Sequence, residues 1–212
     1  MNSPLAETQR AALIEAMLPE VPFDGWSRAA TRAAARRCGI TAAEAFALVP
    51  RGAADLVAGF SHWADRQMLD RFEAVPVASL RVSDRIAGAI ATRFEIVEPH
   101  REAVRRALTI LALPHNVPLA ARLVYDTVDA IWYAAADAAT DFSFYTKRLT
   151  LAGLYSAAVL YWLEDRSEGF ADTRAFVDRR LAGVARLGRI RRDLDTLAER
   201  LPNPFRLLRP LR

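Results

Sequence analysis

Residues 129–165, DAIWYAAADAATDFSFYTKRLTLAGLYSAAVLYWLED, decide how this chain folds. Asp129 and Trp132 are three apart and share a helix face. Residues 143–164 are apolar nearly all round between Arg148 and Glu164, a pattern expected of a helix buried on every side. Between the two, Asp137 and Asp141 straddle a break, and Asp141 or Ser143 is placed to cap the second helix. With Lys147 and Arg148 just beyond, these acids suit a structural hinge locked by ion pairs. They equally suit a docking patch, because aromatics beside Arg and Asp are typical interface anchors.

Working outward, helical periodicity runs almost throughout, and strand-like alternation is nearly absent. The spacing predicts helices over 5–18, 27–38, 41–48, 53–73, 80–96, 100–112, 118–136, 143–164 and 170–200. Ser27 follows a short VPFDGW connector as an N-cap, and Pro118 suits a first helical turn. The expected organisation is all-α: a helix-turn-helix-like unit over 1–52, a ligand-binding and dimerisation domain over 53–200, and a basic apolar tail over 201–212.

With 212 residues, 52% hydrophobic and 25% charged, a sizeable core can form and intrinsic disorder is not expected. Cys38 is the only cysteine, and His62, His100 and His115 are scattered, so no disulfide, metal site or cofactor is expected. The longest uncharged apolar run, Leu149–Leu163, has fifteen residues. A membrane-spanning helix needs about 18–20. The N-terminus lacks the pattern of a secretory signal. Lys147 is the sole lysine among 29 basic residues, and this richness in Arg and Ala suggests a GC-rich bacterial gene. The expected location is the bacterial cytoplasm, peripheral on the inner face of the cell membrane.

The net charge of +4 is unevenly spread. From Arg174 to Arg212 eleven arginines face four acids, an asymmetry that points to an anionic surface. Leu181, Val184, Leu187, Ile190, Leu194 and Leu197 recur at helical spacing among these arginines. The tail adds Phe205, Arg206, Leu207, Leu208 and Arg209, expected to touch an anionic membrane, although its prolines break any continuous helix.

Residues 10–64 have the layout of the TetR-type helix-turn-helix, with a tight turn at Gly39-Ile40 and a short helix capped by Thr41. That helix, TAAEAFAL, offers Thr41, Glu44 and otherwise methyl groups and a phenyl ring. Base reading needs Arg, Lys, Asn or Gln, and Glu44 would face a polyanion. No nucleic acid is expected, although Arg28, Arg32 and Arg36 form a basic stripe on the preceding helix.

Asp129, Trp132, Asp137, Asp141, Tyr145-Thr146-Lys147-Arg148, Leu151-Ala152, Tyr155 and Asp165, followed by Phe176 and Arg179-Arg180, resemble the signature of the ubiquinone-biosynthesis COQ accessory proteins. Leu111 and Pro114 fit upstream; Ala136 stands where that family usually has Gly, and Phe144 where it often has Trp. The resemblance implies a TetR-like, non-enzymatic lipid-binding homodimer. It implies that the protein takes up the polyprenyl tail of a quinone precursor and presents the ring to the demethoxyubiquinone hydroxylase at the membrane. It assigns the hydroxylase contact to Asp141, Phe144, Tyr145 and Arg148, to which Asp129 and Trp132 are added as neighbours. Leu123, Thr127, Ile131, Leu149, Leu154, Tyr155, Ala158 and Trp162 are the candidate lining of an isoprenoid or phospholipid slot. By pattern alone they suit a close-packed core better than a slot; the resemblance reverses that order. The competing expectations are a TetR-type regulator sensing a lipophilic ligand and a small enzyme using Asp129, Asp137 and Asp141.

Overall fold

The computed structural model describes residues 4–74, 79–135 and 143–184. Among them every regular element is helical: α1 (Pro4–Met17), α2 (Val21–Asp24), α3 (Arg28–Arg37), α4 (Ala42–Leu48), α5 (Ala53–Glu73), α6 (Val82–Val97), α7 (Arg101–Leu111), α8 (Val117–Ala134), α9 (Ser143–Glu164) and α10 (171–184). No single described helix is long and apolar enough to cross a membrane.

Local chemistry explains the boundaries. The Ser27 hydroxyl accepts from Ala30 N at 3.3 Å and starts α3. Gly39 turns the chain with φ of 68°, a region that glycine enters without steric penalty. Thr41 and Glu44 then form a reciprocal capping box at α4. The Thr41 hydroxyl and backbone N–H donate to Glu44 and hold its carboxyl below the usual range. Pro118 lies in the first turn of α8, where its missing N–H costs nothing. The VPFDGW connector differs from expectation: Val21–Asp24 winds into a helical turn, because Val21 is fully buried and Trp26 donates to Ala103 O at 3.1 Å.

Helix α5 is the central rod. It packs against α1 on one side and against α6, α7 and α8 on the other; α9 lies on α8. Phe60 touches Trp26 and Trp63, with ring centroids 5.2 and 5.9 Å apart. Phe94 of α6 carries a second aromatic group, stacking on Tyr155 and Trp162 of α9 and meeting the edge of Phe170.

The last expected helix, 170–200, is described only to residue 184. Its entry is held by Asp165. That carboxylate accepts from the backbone N–H and hydroxyl of both Ser167 and Thr173, at 2.5–2.8 Å. Burial pushes the Asp165 carboxyl up, but these four donors outweigh it and hold it down at about 2. The turn places Gly169 and Phe170 at positive φ (57° and 47°) and drives the Phe170 ring inward.

Within the single chain α9 is not covered on every side. Leu149 is 77% exposed and Leu160 62%, because α9 lies at the edge of the helical layer and only one of its faces meets α8 and α6.

Candidate functional site: an apolar cavity with a buried polar group

Between α5, α6, α7, α8 and α9 lies a cavity of about 440 Å³. Its wall is almost wholly aliphatic and aromatic, with Val57 and Phe60 from α5, Phe94 from α6, Leu108 from α7, Leu123 from α8 and Trp162 from α9 among its members. A second recess of about 650 Å³ runs between α8 and α9 at the surface, with Val117, Tyr125 and Leu149 along it. Ala120, Val124 and Ser156 belong to both walls and form a sill between the two spaces. From Trp162 to Leu149 the walls of the two spaces together follow α9 for about 20 Å, at about 1.5 Å per residue.

Part of the inner cavity's wall is polar. Arg93 and Asp65, 7% and 6% exposed, pair at 2.7 Å. The Thr127 hydroxyl donates to the same carboxylate at 3.0 Å, and Arg93 Nη2 donates to Ser61 Oγ at 3.3 Å. Burial works against the Arg93 charge, but the Tyr155 oxygen and Asp65 outweigh it, so its proton is held more tightly than in water. Burial pushes the Tyr155 phenol up to about 12, so it stays an O–H donor at neutral pH. Ser61, Arg93, Thr127 and Tyr155 all reach the cavity wall.

Of the expected lining residues, Leu123, Thr127, Tyr155 and Trp162 stand on this wall. Leu149 lies instead on the outer recess. Ile131 and Ala158 are fully buried and Leu154 nearly so, and none of the three reaches either wall. The helical period explains the division: in α9, Tyr155, Ser156, Val159 and Trp162 turn to the cavity, whereas Leu154 and Ala158 turn into packed core. Sequence reasoning missed Asp65, Arg93 and Ser61. The first two are half a turn from apolar neighbours on α5 and α6, but nothing local pairs positions 28 residues apart.

The expected docking residues also separate. Arg148 donates to Asp129 Oδ1 from Nε at 2.9 Å and from Nη2 at 2.7 Å, tying α9 to α8. Trp132 is 7% exposed, and this corrects its placement on an open patch: the apolar indole is turned into the core beside Ile131. Asp137, Asp141, the side chains of Phe144 and Tyr145, and the tail residues Phe205, Arg206, Leu207, Leu208 and Arg209 lie outside the described residues. On α4 the exposed residues include Thr41, Ala42, Ala43, Glu44 and Ala47, while Arg28 of α3 lies 4.0 Å over the Phe46 ring. No base-reading side chain projects from α4.

The geometry defines a class first: an all-helical chain of the TetR-like fold whose helices α5 to α9 enclose an apolar cavity. The fold is shared with the crystal structure titled as the TetR transcriptional regulator from Nitrosomonas europaea ATCC 19718, at a TM-score of 0.67 and 22% identity, over 84% of this chain and 98% of that one. Residues 117–188 match the COQ9 family model. The chain is 30% identical over 196 residues to the mitochondrial ubiquinone biosynthesis protein COQ9 of Homo sapiens, covering 89% of this chain and 61% of that protein. It is 30% identical over 182 residues to the mitochondrial COQ9 of Drosophila melanogaster, covering 84% and 56%. The chain thus spans about three-fifths of the length of these relatives. The resemblance in 129–165 is borne out: residues 117–188 match the family's model, and the chain is similar to the COQ9 proteins over most of its length. The relatives are named as mitochondrial, which corrects the expectation of the bacterial cytoplasm.

Proposed function

We propose that this chain serves ubiquinone biosynthesis as a lipid-binding accessory without chemistry of its own. It takes a polyprenyl quinone precursor into the cleft between α5 and α9 and presents it to the demethoxyubiquinone hydroxylase. The observation that carries this reading is the apolar inner cavity, with an apolar recess next to it, lined in part by the segment that matches the family. A nearly uncharged wall of this kind suits a hydrocarbon chain, since each buried CH₂ contributes about 0.8 kcal/mol. The exposed α8–α9 face, with Asp129 and Arg148 paired on it, is the side offered to the hydroxylase, continuous with Asp141, Phe144 and Tyr145 in sequence. The basic tail over 201–212 supplies affinity for an anionic membrane, and the chain works as a homodimer.

The test is mass spectrometry of lipid extracted from the purified chain and from Ala120→Trp, which places an indole at the sill. The expected result is a prenylated quinone precursor with the unaltered chain and its loss from the folded variant. Absence of any such lipid from the unaltered chain, or equal amounts in both, refutes the reading.

A further inference from the structure

Trp162 is fully buried on the wall of the inner cavity, and its ring is held by several groups at once. Phe94 stacks on it, with centroids 5.3 Å apart and planes 4° apart. The indole N–H donates to Glu98 Oε2 at 2.9 Å. Arg101, in the first turn of α7, completes the grip. Its Cζ lies 4.6 Å from the ring centroid, Nη1 donates to the Trp162 carbonyl at 2.9 Å, and Nη2 donates to both oxygens of Glu98 at 2.8 Å. Arg101 Nη1 also reaches the Asp165 carbonyl at 2.5 Å, and Arg105, one turn on, donates to the Leu163 carbonyl at 3.2 Å. Carbonyls at a helix C-terminus run short of partners within the helix, and α7 supplies them here. Neither Glu98 nor Arg101 stands on the cavity wall, so both act on the cavity through Trp162. An aliphatic wall residue can change rotamer and make room for a guest; a ring paired, stacked and fixed at its own backbone cannot.

From this we infer that Trp162 determines how long an apolar chain the inner cavity takes, with Glu98 and Arg101 as positioning residues that hold the ring in place. The inference rests on the proposed function and deepens it by naming what limits the buried part of the tail. At roughly 30 Å³ for each water-sized group, a cavity of about 440 Å³ takes about fifteen such groups, or about three five-carbon isoprene units. Units beyond these stay outside the inner cavity and gain less from burial. Trp162→Leu removes ring bulk of about one isoprene unit and leaves space in its place.

Affinities for geraniol, farnesol and geranylgeraniol, alcohols of two, three and four isoprene units, are measured by displacement of a fluorescent apolar probe from the full chain. In the unaltered chain affinity should climb from geraniol to farnesol, with farnesol and geranylgeraniol within about threefold of each other. In Trp162→Leu the preference for geranylgeraniol over farnesol should rise about tenfold, because the fourth unit now enters buried space. Arg101→Met keeps the ring but frees it, and should move the same ratio in the same direction by about threefold. It also keeps the test open where Trp162→Leu fails to fold. The ratio compares two ligands on one protein, so a purely structural role, which lowers the folded fraction, leaves it unmoved. An unchanged ratio in folded Trp162→Leu, an unchanged ratio in Arg101→Met, or a steep gain from farnesol to geranylgeraniol in the unaltered chain overturns the inference while leaving the apolar cavity in place. Failure of the unaltered chain to bind any of the three alcohols overturns the proposed function and this inference with it.

Discussion

Replacing Asp165 with Asn tests how the end of α9 is fastened to the start of α10. The carboxylate accepts four hydrogen bonds, at 2.5–2.8 Å, from Ser167 and Thr173. Its pKa is held at about 2, against 3.8 for the free group. The group is 6% exposed, so solvent screens this difference little. At about 1.4 kcal/mol per unit, ionised Asp165 contributes roughly 2–3 kcal/mol to folding. Because the folded pKa is depressed, that contribution is complete above about pH 4 and fades as pH falls through about 2. Asp165→Asn keeps the shape and removes the charge. Urea unfolding of both chains at several pH values is the assay. The variant should be roughly 2–3 kcal/mol less stable at pH 7, and the gap should close between about pH 4 and 2. A gap that does not change with pH refutes the reasoning, since it would mean that packing, not the carboxylate charge, joins the two helices. The functional reach of this joint is through Phe170, whose ring meets Phe94 on the cavity wall at 6.2 Å between centroids.

Other outcomes follow from the same contacts. Asp65→Ala leaves Arg93 buried without its partner and should cost about 3–5 kcal/mol in urea unfolding; a cost under about 1 kcal/mol would show that water reaches the pair. Trp132→Ala empties a core position and should cost about 3–5 kcal/mol, so any loss of quinone that it causes in cells should track the amount of folded protein; a stable variant that nevertheless loses quinone would return Trp132 to a docking role.

Most of the secondary structure was legible because its causes are local. Ser27 caps α3, Thr41 and Glu44 cap α4, and Gly39 turns between them through contacts within a few residues. The family segment was legible as a pattern of residue types over 129–180. Periodicity also separated apolar from polar positions on α8. It did not tell a cavity wall from packed core, because Tyr155 and Leu154 are both buried and differ only in what stands opposite. Nor did it say what covers α9: an all-round apolar helix predicts burial, but burial needs a neighbour on every face, and Leu149 and Leu160 stay exposed among the described residues.

What the sequence determined by itself was an all-α chain, its caps and turns, and its kinship with the COQ9 proteins. Those properties depend on neighbours three or four residues apart or on residue type in order. What the tertiary structure decided was the cleft and its chemistry. Asp65, Arg93 and Tyr155 come from three helices and meet only when α5, α6 and α9 pack, and an ion pair or a void between helices exists only once those helices have taken their places.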